Sequence, residues 1–269
     1  MAIASVEAPD AQWQSVPEPG NTSVLSVTLC PPDGLNATSF TESLLRLFTY
    51  DASRSGTLIR GGGPMLIPAS PTTLADRRNQ AASFLLDETE TEWLFFIDSD
   101  MGFDEDALYR LLDAADPSER PVVGGLCFGM RKLRSDERGG WVTQPFPTLY
   151  DWKPKEDGTF GFVLRYDYTP NCVTRVAATG GAFLLIHRSA LQAIRDTSGD
   201  TWFDRAKMNA GEGLMGEDIS FCARLGQHNI PLFVHTGVGT THLKAVWVDE
   251  DYYLEQRAMS ALRAQADKA

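Results

Sequence analysis

The segment Trp93-Leu-Phe-Phe-Ile97 is apolar at every position and runs straight into Asp98-Ser99-Asp100. A strand with one wet face alternates apolar and polar residues. A strand that is apolar throughout must be covered on both faces, which places it in the middle of a sheet with helices on either side. The carboxyl ends of such strands are where open α/β sheets place their ligands. Two carboxylates therefore stand at a ligand-binding position. Their i, i+2 spacing lets both point to one side if strand geometry persists, and two hard oxygen donors suit Mg²⁺ or Mn²⁺ bridging a diphosphate. An isolated Asp-x-Asp is more often a solvated turn that opens the next helix. The apolar strand before this pair favours a site.

The flanking segments fit that placement. Ser23–Leu29 reads as a buried strand running into the turn Pro31-Pro32-Asp33-Gly34. Phe40, Leu44, Leu47 and Phe48 repeat at helical spacing, as do Leu74, Ala81, Ala82 and Leu85 within Thr72–Leu86. Asp104–Ala115 reads as a helix with acids in its first turn, and Pro121–Cys127 as another apolar strand. Strands alternating with helices imply a parallel sheet with helical crossovers, an α/β fold. Arg131–Asn171 breaks the pattern and reads as loops with a hairpin. Strand Gly180–Ile186, a helix at Leu191–Arg195 capped by Ser189, helix Gly216–Gln227, strand Pro231–Val234 and a polar helix Asp249–Ala266 follow. The expected division is a loose leader over 1–20, one domain over 21–247 and a C-terminal helix over 248–269.

The chain has 269 residues, with 24 Lys and Arg against 36 Asp and Glu, a formal net charge of -12. That balance counts against generic duplex DNA binding, which depends on neutralising phosphates. An acidic protein can still hold an anion through a metal cation. No apolar run reaches the length of a membrane span, and residues 1–20 lack the pattern of a signal peptide. Cys30, Cys127, Cys172 and Cys222 are widely spaced and read as reduced thiols, so a cytoplasmic location is expected.

Four further features carry chemistry. Arg78, in Arg77-Arg78-Asn79, falls on the apolar face of its helix, where a charge needs a partner such as a phosphate or an Asp. Snorkelling at the sheet edge explains the spacing equally well. Gly180-Gly181 permits close backbone approach to a ligand, or simply a tight turn. Glu217-Asp218 opens a helix. Asp218 faces the core side and could serve as a general base, although a helix N-terminus lowers its basicity and plain capping explains it too. His242, with Lys244 close behind, would complete a metal site begun by two Asp, while a lone His is usually a polar loop residue.

Taken in order, Arg78-Asn79, Trp93–Asp100, Gly180–Arg188, Gly216–Leu225 and His242 resemble a GT-A glycosyltransferase close to the inverting family 2. The "IDSDM" form is similar to glycosyltransferase-like proteins from bacteriophages, which would place the chain in a host cytoplasm. The resemblance implies a single GT-A domain with a mostly parallel sheet. It implies sugar transfer from a nucleoside-diphosphate donor, a UDP-sugar first among candidates, to an acceptor hydroxyl with inversion. Mn²⁺ or Mg²⁺ would be held by Asp100 and His242 with help from Asp98, which also contacts the donor. Arg78 and Asn79 would lie near the diphosphate, Pro31 and Asp33 near the base and ribose, and Gly180, Gly181 and Lys244 along the donor site. Asp218 would be the catalytic base, with Glu217 beside it. The first loop, Cys30–Gly34, departs from the family's Pro-x-Tyr-Asn-Glu pattern, which leaves base recognition open. A glycan, a protein side chain or a modified nucleobase all remain possible acceptors.

Three alternatives carry less of the sequence. A haloacid-dehalogenase-type phosphatase has its Asp pair on the first strand, whereas a strand and two helices precede this one. A nucleotidyltransferase brings a basic Gly-rich first loop, and Pro31–Gly34 has no Lys or Arg. A non-catalytic nucleotide-sugar-binding module leaves the retained acids and His242 without a use.

Overall fold

The structure is a computed structural model. It describes residues 22–31, 36–68, 72–134, 141–156, 158–207, 213–246, 248 and 250–266. The first half contains β1 (Val24–Leu29), α1 (Thr38–Ala52), α2 (Thr57–Arg60), β2 (Met65–Ile67), α3 (Leu74–Glu88), β3 (Trp93–Ile97), β4 (Met101–Gly102), α4 (Ala107–Ala114) and β5 (Val122–Leu126). Next come β6 (Phe128–Arg134), β7 (Trp141–Pro147), β8 (Leu149–Pro154), β9 (Phe160–Leu164), β10 (Val173–Val176), β11 (Ala178–Thr179) and β12 (Phe183–His187). The chain continues through α5 (Arg188–Ser198), α6 (Glu217–Gln227), β13 (Leu232–Gly239), β14 (Thr241–His242) and α7 (Glu250–Ala266).

The central sheet has seven strands in the order β10-β13-β5-β12-β3-β1-β2. β3 sits inside it and is buried at all five positions. Its side chains alternate between two cores, as strand geometry requires. Leu94 and Phe96 join the core under α3, α5 and α6. Trp93, Phe95 and Ile97 join the one under α1 and α4. The result is a single α/β domain with helices on both faces.

The sheet is mixed rather than wholly parallel. β2, β1, β3, β5 and β13 share a direction, while β12 is antiparallel to both β3 and β5, and β10 is antiparallel to β13. The reversal matters for function. Phe183, at the start of β12, pairs with Ile97, at the end of β3, and Asp98 N–H donates to the Ala182 carbonyl at 2.8 Å. Gly180-Gly181 is thereby brought to the end of the sheet that carries Asp98.

A register shift in β13 serves the same end. His235 pairs with Gly125 and Gly239 pairs with Leu126, so β13 advances several residues against one of β5. Bulges re-aim the chain that follows them. Here that chain is β14, which pairs antiparallel with β4, His242 opposite Met101.

Three local expectations are corrected. Arg131–Asn171 is largely sheet: β6 and β7 form a seven-pair hairpin, and β8 lies between β11 and β9 in a second, three-stranded sheet. In β8 and β9 few positions are fully buried, so their sequences lack a clean alternation. Helix α4 begins at Ala107, so Asp104, Glu105 and Asp106 precede its first turn. The cap of α5 is His187, whose Nδ1 accepts from the Ser189 N–H, so Ser189 lies inside the helix. All four cysteines are free thiols. Among the described residues, no helix is long and apolar enough to cross a membrane.

Candidate active site

Helix α3 starts at a capping box. The Thr73 hydroxyl accepts from the Asp76 N–H, and the Asp76 carboxylate accepts from the Thr73 N–H at 2.8 Å. This fixed start sets the phase of the helix, and the phase turns Arg78 inward until it is 1% exposed. Its guanidinium donates to both carboxylate oxygens of Asp98 at 3.1 and 3.3 Å and to the Gly181 carbonyl at 2.8 Å. Nε lies 3.8 Å from Glu217 Oε1 and has no hydrogen-bond partner. The group also sits over the Phe96 ring, 4.9 Å from its centroid. One buried cation thus ties α3, the end of β3, the entrance to β12 and the start of α6 together.

Gly181 follows from that packing. A Cβ there would meet Arg78 Cζ at 3.1 Å, so a side chain would press on the buried guanidinium, and glycine leaves it room to reach the backbone. Asn79 also works inside the fold: its amide donates to Asp204 at 2.7 Å and accepts from the Phe203 N–H at 2.8 Å.

β3 ends at Ile97, and Met101 N–H turns back to the Asp98 carbonyl at 3.2 Å. Strand geometry does not persist, so the two carboxylates take different partners. Asp98 goes to Arg78, whereas Asp100 meets His242 Nε2 at 3.0 Å and Lys244 Nζ at 3.3 Å. The His242 ring is set from its other side, where Nδ1 lies 2.8 Å from the Phe128 carbonyl. A carbonyl only accepts, so Nδ1 carries the proton. Nε2 therefore meets Asp100 either as part of an imidazolium or as a lone pair beside the carboxylate, ready for a shared cation.

The carboxylates differ in basicity. Burial raises Asp98 above the ordinary value against the pull of Arg78, and Asp100 and Glu217 add to the rise. Burial also acts on Asp100, but hydrogen bonds and charge from His242 and Lys244 outweigh it and leave Asp100 lowered. Asp218 is raised, first by burial and then by Glu217, despite a hydrogen bond from the Ile219 N–H at 2.7 Å. The helix N-terminus therefore does not set its basicity; desolvation does.

A cavity of about 230 Å³ opens at the ends of β1 and β3. Asp98, Asp100, Pro31 and Cys30 line it, and so does Arg77. Arg77 was part of the sequence motif without a role of its own. It donates to the Cys30 carbonyl at 2.8 Å and has no carboxylate partner among the described residues. Asp33 lies outside the described residues. Gly180 packs beside Thr148, whose Oγ1 a Cβ there would meet at 3.5 Å. Tyr150, which no sequence pattern marked, lies near Asp218: its hydroxyl is raised by burial and next by the Asp218 charge.

Among the described residues, no group of three or more His, Cys, Asp and Glu is arranged to hold a metal. Asp100 and His242 still form a fitting pair of donors for Mn²⁺ or Mg²⁺, with the histidine oriented by a carbonyl as metal-binding imidazoles are. Mg²⁺-type sites commonly take one or two protein ligands and complete themselves with substrate phosphates and water.

No family model and no curated protein matches the chain. Among solved structures, A197 from STIV aligns over 83% of this chain and 87% of its own, at 14% identity and a TM-score of 0.43. GalNAc-T7, solved with UDP, GalNAc and Mn²⁺, aligns over 84% of this chain at 11% identity and a TM-score of 0.50. The match covers 43% of that chain, so this protein spans less than half of the GalNAc-T7 chain's length. The haloacid-dehalogenase arrangement, with its Asp pair on the first strand, does not fit Asp98 and Asp100 after β3. The fold is GT-A-like, one α/β domain on a mixed central sheet similar to that of GalNAc-T7.

Proposed function

We propose that this protein transfers a sugar from a nucleoside-diphosphate donor to an acceptor hydroxyl, with the help of a divalent cation. One observation carries the reading. Arg78 joins Asp98, at the ligand end of β3, to Glu217, the neighbour of a desolvated Asp218. Donor-side and base-side carboxylates are thereby held around one centre.

Asp100 and His242 would hold Mn²⁺ or Mg²⁺, which when bound neutralises charge on the leaving diphosphate. The remaining work belongs to the chain itself. Asp98, pinned by Arg78, presents its free edge to the donor cavity. Arg77 offers an unneutralised guanidinium to the diphosphate in the same cavity. Pro31 and Cys30 form its wall near the nucleoside. Lys244 is within reach of Asp100 and of a phosphate in its place. The Gly180 backbone, beside an Arg78-packed Gly181, would let the sugar approach closely. Asp218 accepts the proton of the attacking acceptor hydroxyl at its carboxylate, and its raised basicity suits that task. Attack opposite the leaving group inverts the sugar carbon.

The likeness to GalNAc-T7 supports a UDP-sugar as the first donor to try. Release of nucleoside diphosphate from UDP-, GDP- and dTDP-sugars with Mn²⁺ tests the reading. Asp218→Asn separates transfer from a binding-only role, since it should keep donor binding and lose turnover.

A further inference from the structure

We infer that the groove between the β8–β9 hairpin and the C-terminal half of α6 is a second ligand site, for a small ring-bearing anion. Its cavity is about 670 Å³, within the range that holds a small organic molecule. Val176, Leu225, Ile230 and Leu232 make its walls apolar. Trp152 and Phe162 stand at its mouth edge-to-face, with centroids 5.0 Å apart. Trp152 is 54% exposed, a large aromatic face left open to solvent on the rim of an apolar cavity. A planar ring is the shape that pair receives best.

Charge selects the sign of the ligand. Two basic side chains, Arg165 and Arg175, and one acid, Asp151, line the groove. Asp151 is neutralised by Arg165 and by Lys153 at 2.7 Å. Arg175, on edge strand β10, has no ion pair among the described residues and is exposed on the rim. Arg165 and Arg175 against Asp151 leave the lining with a net positive charge in a chain whose overall formal charge is -12, and that sign favours an anion. The Gln227 side chain adds an amide donor at the same rim.

The groove is distinct from the donor cavity. Cys222 lines it, one helical turn along α6 from Asp218. Cys222 is 2% exposed, and its thiol reaches the Thr179 carbonyl at 3.6 Å. The groove shares no lining residue with the donor cavity, and Asp218 is not part of its lining, so a ligand there is bound apart from the candidate base.

The test uses 8-anilinonaphthalene-1-sulfonate, an aromatic anion, titrated by fluorescence into the folded full chain. Saturable binding at one site per chain is expected. Trp152→Ala and Arg175→Glu, both at exposed positions, should each weaken it at least about ten-fold while leaving the melting transition in place. Uncharged N-phenyl-1-naphthylamine should bind at least about ten-fold more weakly than the sulfonate. UDP with Mn²⁺ should not displace the probe. Wild-type affinity in either variant, equal binding of the neutral analogue, displacement by UDP, or binding to phosphatidylglycerol vesicles with no saturable binding of the probe would each overturn the proposal.

Discussion

His242 Nε2 lies 3.0 Å from Asp100 Oδ2, and its Nδ1 is fixed by the Phe128 carbonyl at 2.8 Å. The two residues are 142 positions apart in sequence and meet because β14 pairs with β4 just past the end of β3. The candidate metal pair is thus a product of the β13 bulge as much as of the Asp-Ser-Asp motif.

If that pair holds the cation, His242→Ala should weaken Mn²⁺ binding by about 10- to 100-fold. An electron paramagnetic resonance titration of free Mn²⁺ reads this directly, without any turnover. Unchanged affinity would remove His242 from the site.

Gly102 should matter for the same reason. A Cβ at this position would overlap Thr241 Oγ1, so Gly102→Ala is expected to strain the β4–β14 pairing that holds His242 beside Asp100. Weaker Mn²⁺ binding is expected, with partial recovery in the Gly102→Ala, Thr241→Ala double variant, where the clashing oxygen is gone. Equal loss in the single and double variants would contradict the steric account.

Arg78→Met should be costly to the fold. It leaves the Asp98 carboxylate and the Gly181 carbonyl without their buried donor, and breaking a buried pair on one side costs about 3–5 kcal/mol. The urea midpoint should fall accordingly with an unchanged slope. A loss near that of an exposed ion pair, below about 1 kcal/mol, would argue against the hub.

Asp218 gives a pH signature. A base must be deprotonated, and its carboxyl is raised by burial, so the transfer rate should fall on acidification at a pH above the ordinary aspartate value. Stability runs the other way. A carboxyl raised in the folded state stabilises the fold at low pH and loses that contribution as pH rises through the folded value. Asp218→Asn should therefore lower transfer by at least about 100-fold while the melting temperature at neutral pH holds or rises. Calorimetry and a rate–pH profile check both halves.

Much of this architecture is legible in the sequence because it follows from local rules. Five apolar residues before Asp98 placed β3 inside the sheet, and helical spacing turned Arg78 inward. The reversal of β12 was not legible, since a fully buried strand reads the same in either direction. Nor was the split of Asp98 from Asp100, which depends on the strand stopping at Ile97 and on partners far along the chain. Tyr150 and Arg77 entered the site through tertiary packing alone. Of the strands within Arg131–Asn171 a single hairpin was anticipated, and the three-stranded β11-β8-β9 sheet was not, because the partial burial of β8 and β9 blurs their alternation.

The most direct test of the account is release of nucleoside diphosphate from sugar donors by wild type and Asp100→Ala, with Mn²⁺ and with EDTA. Mn²⁺-dependent release by the wild type, abolished by EDTA and lowered by at least about 100-fold in Asp100→Ala, is the expected result. Release that is undiminished by EDTA and by Asp100→Ala would contradict it.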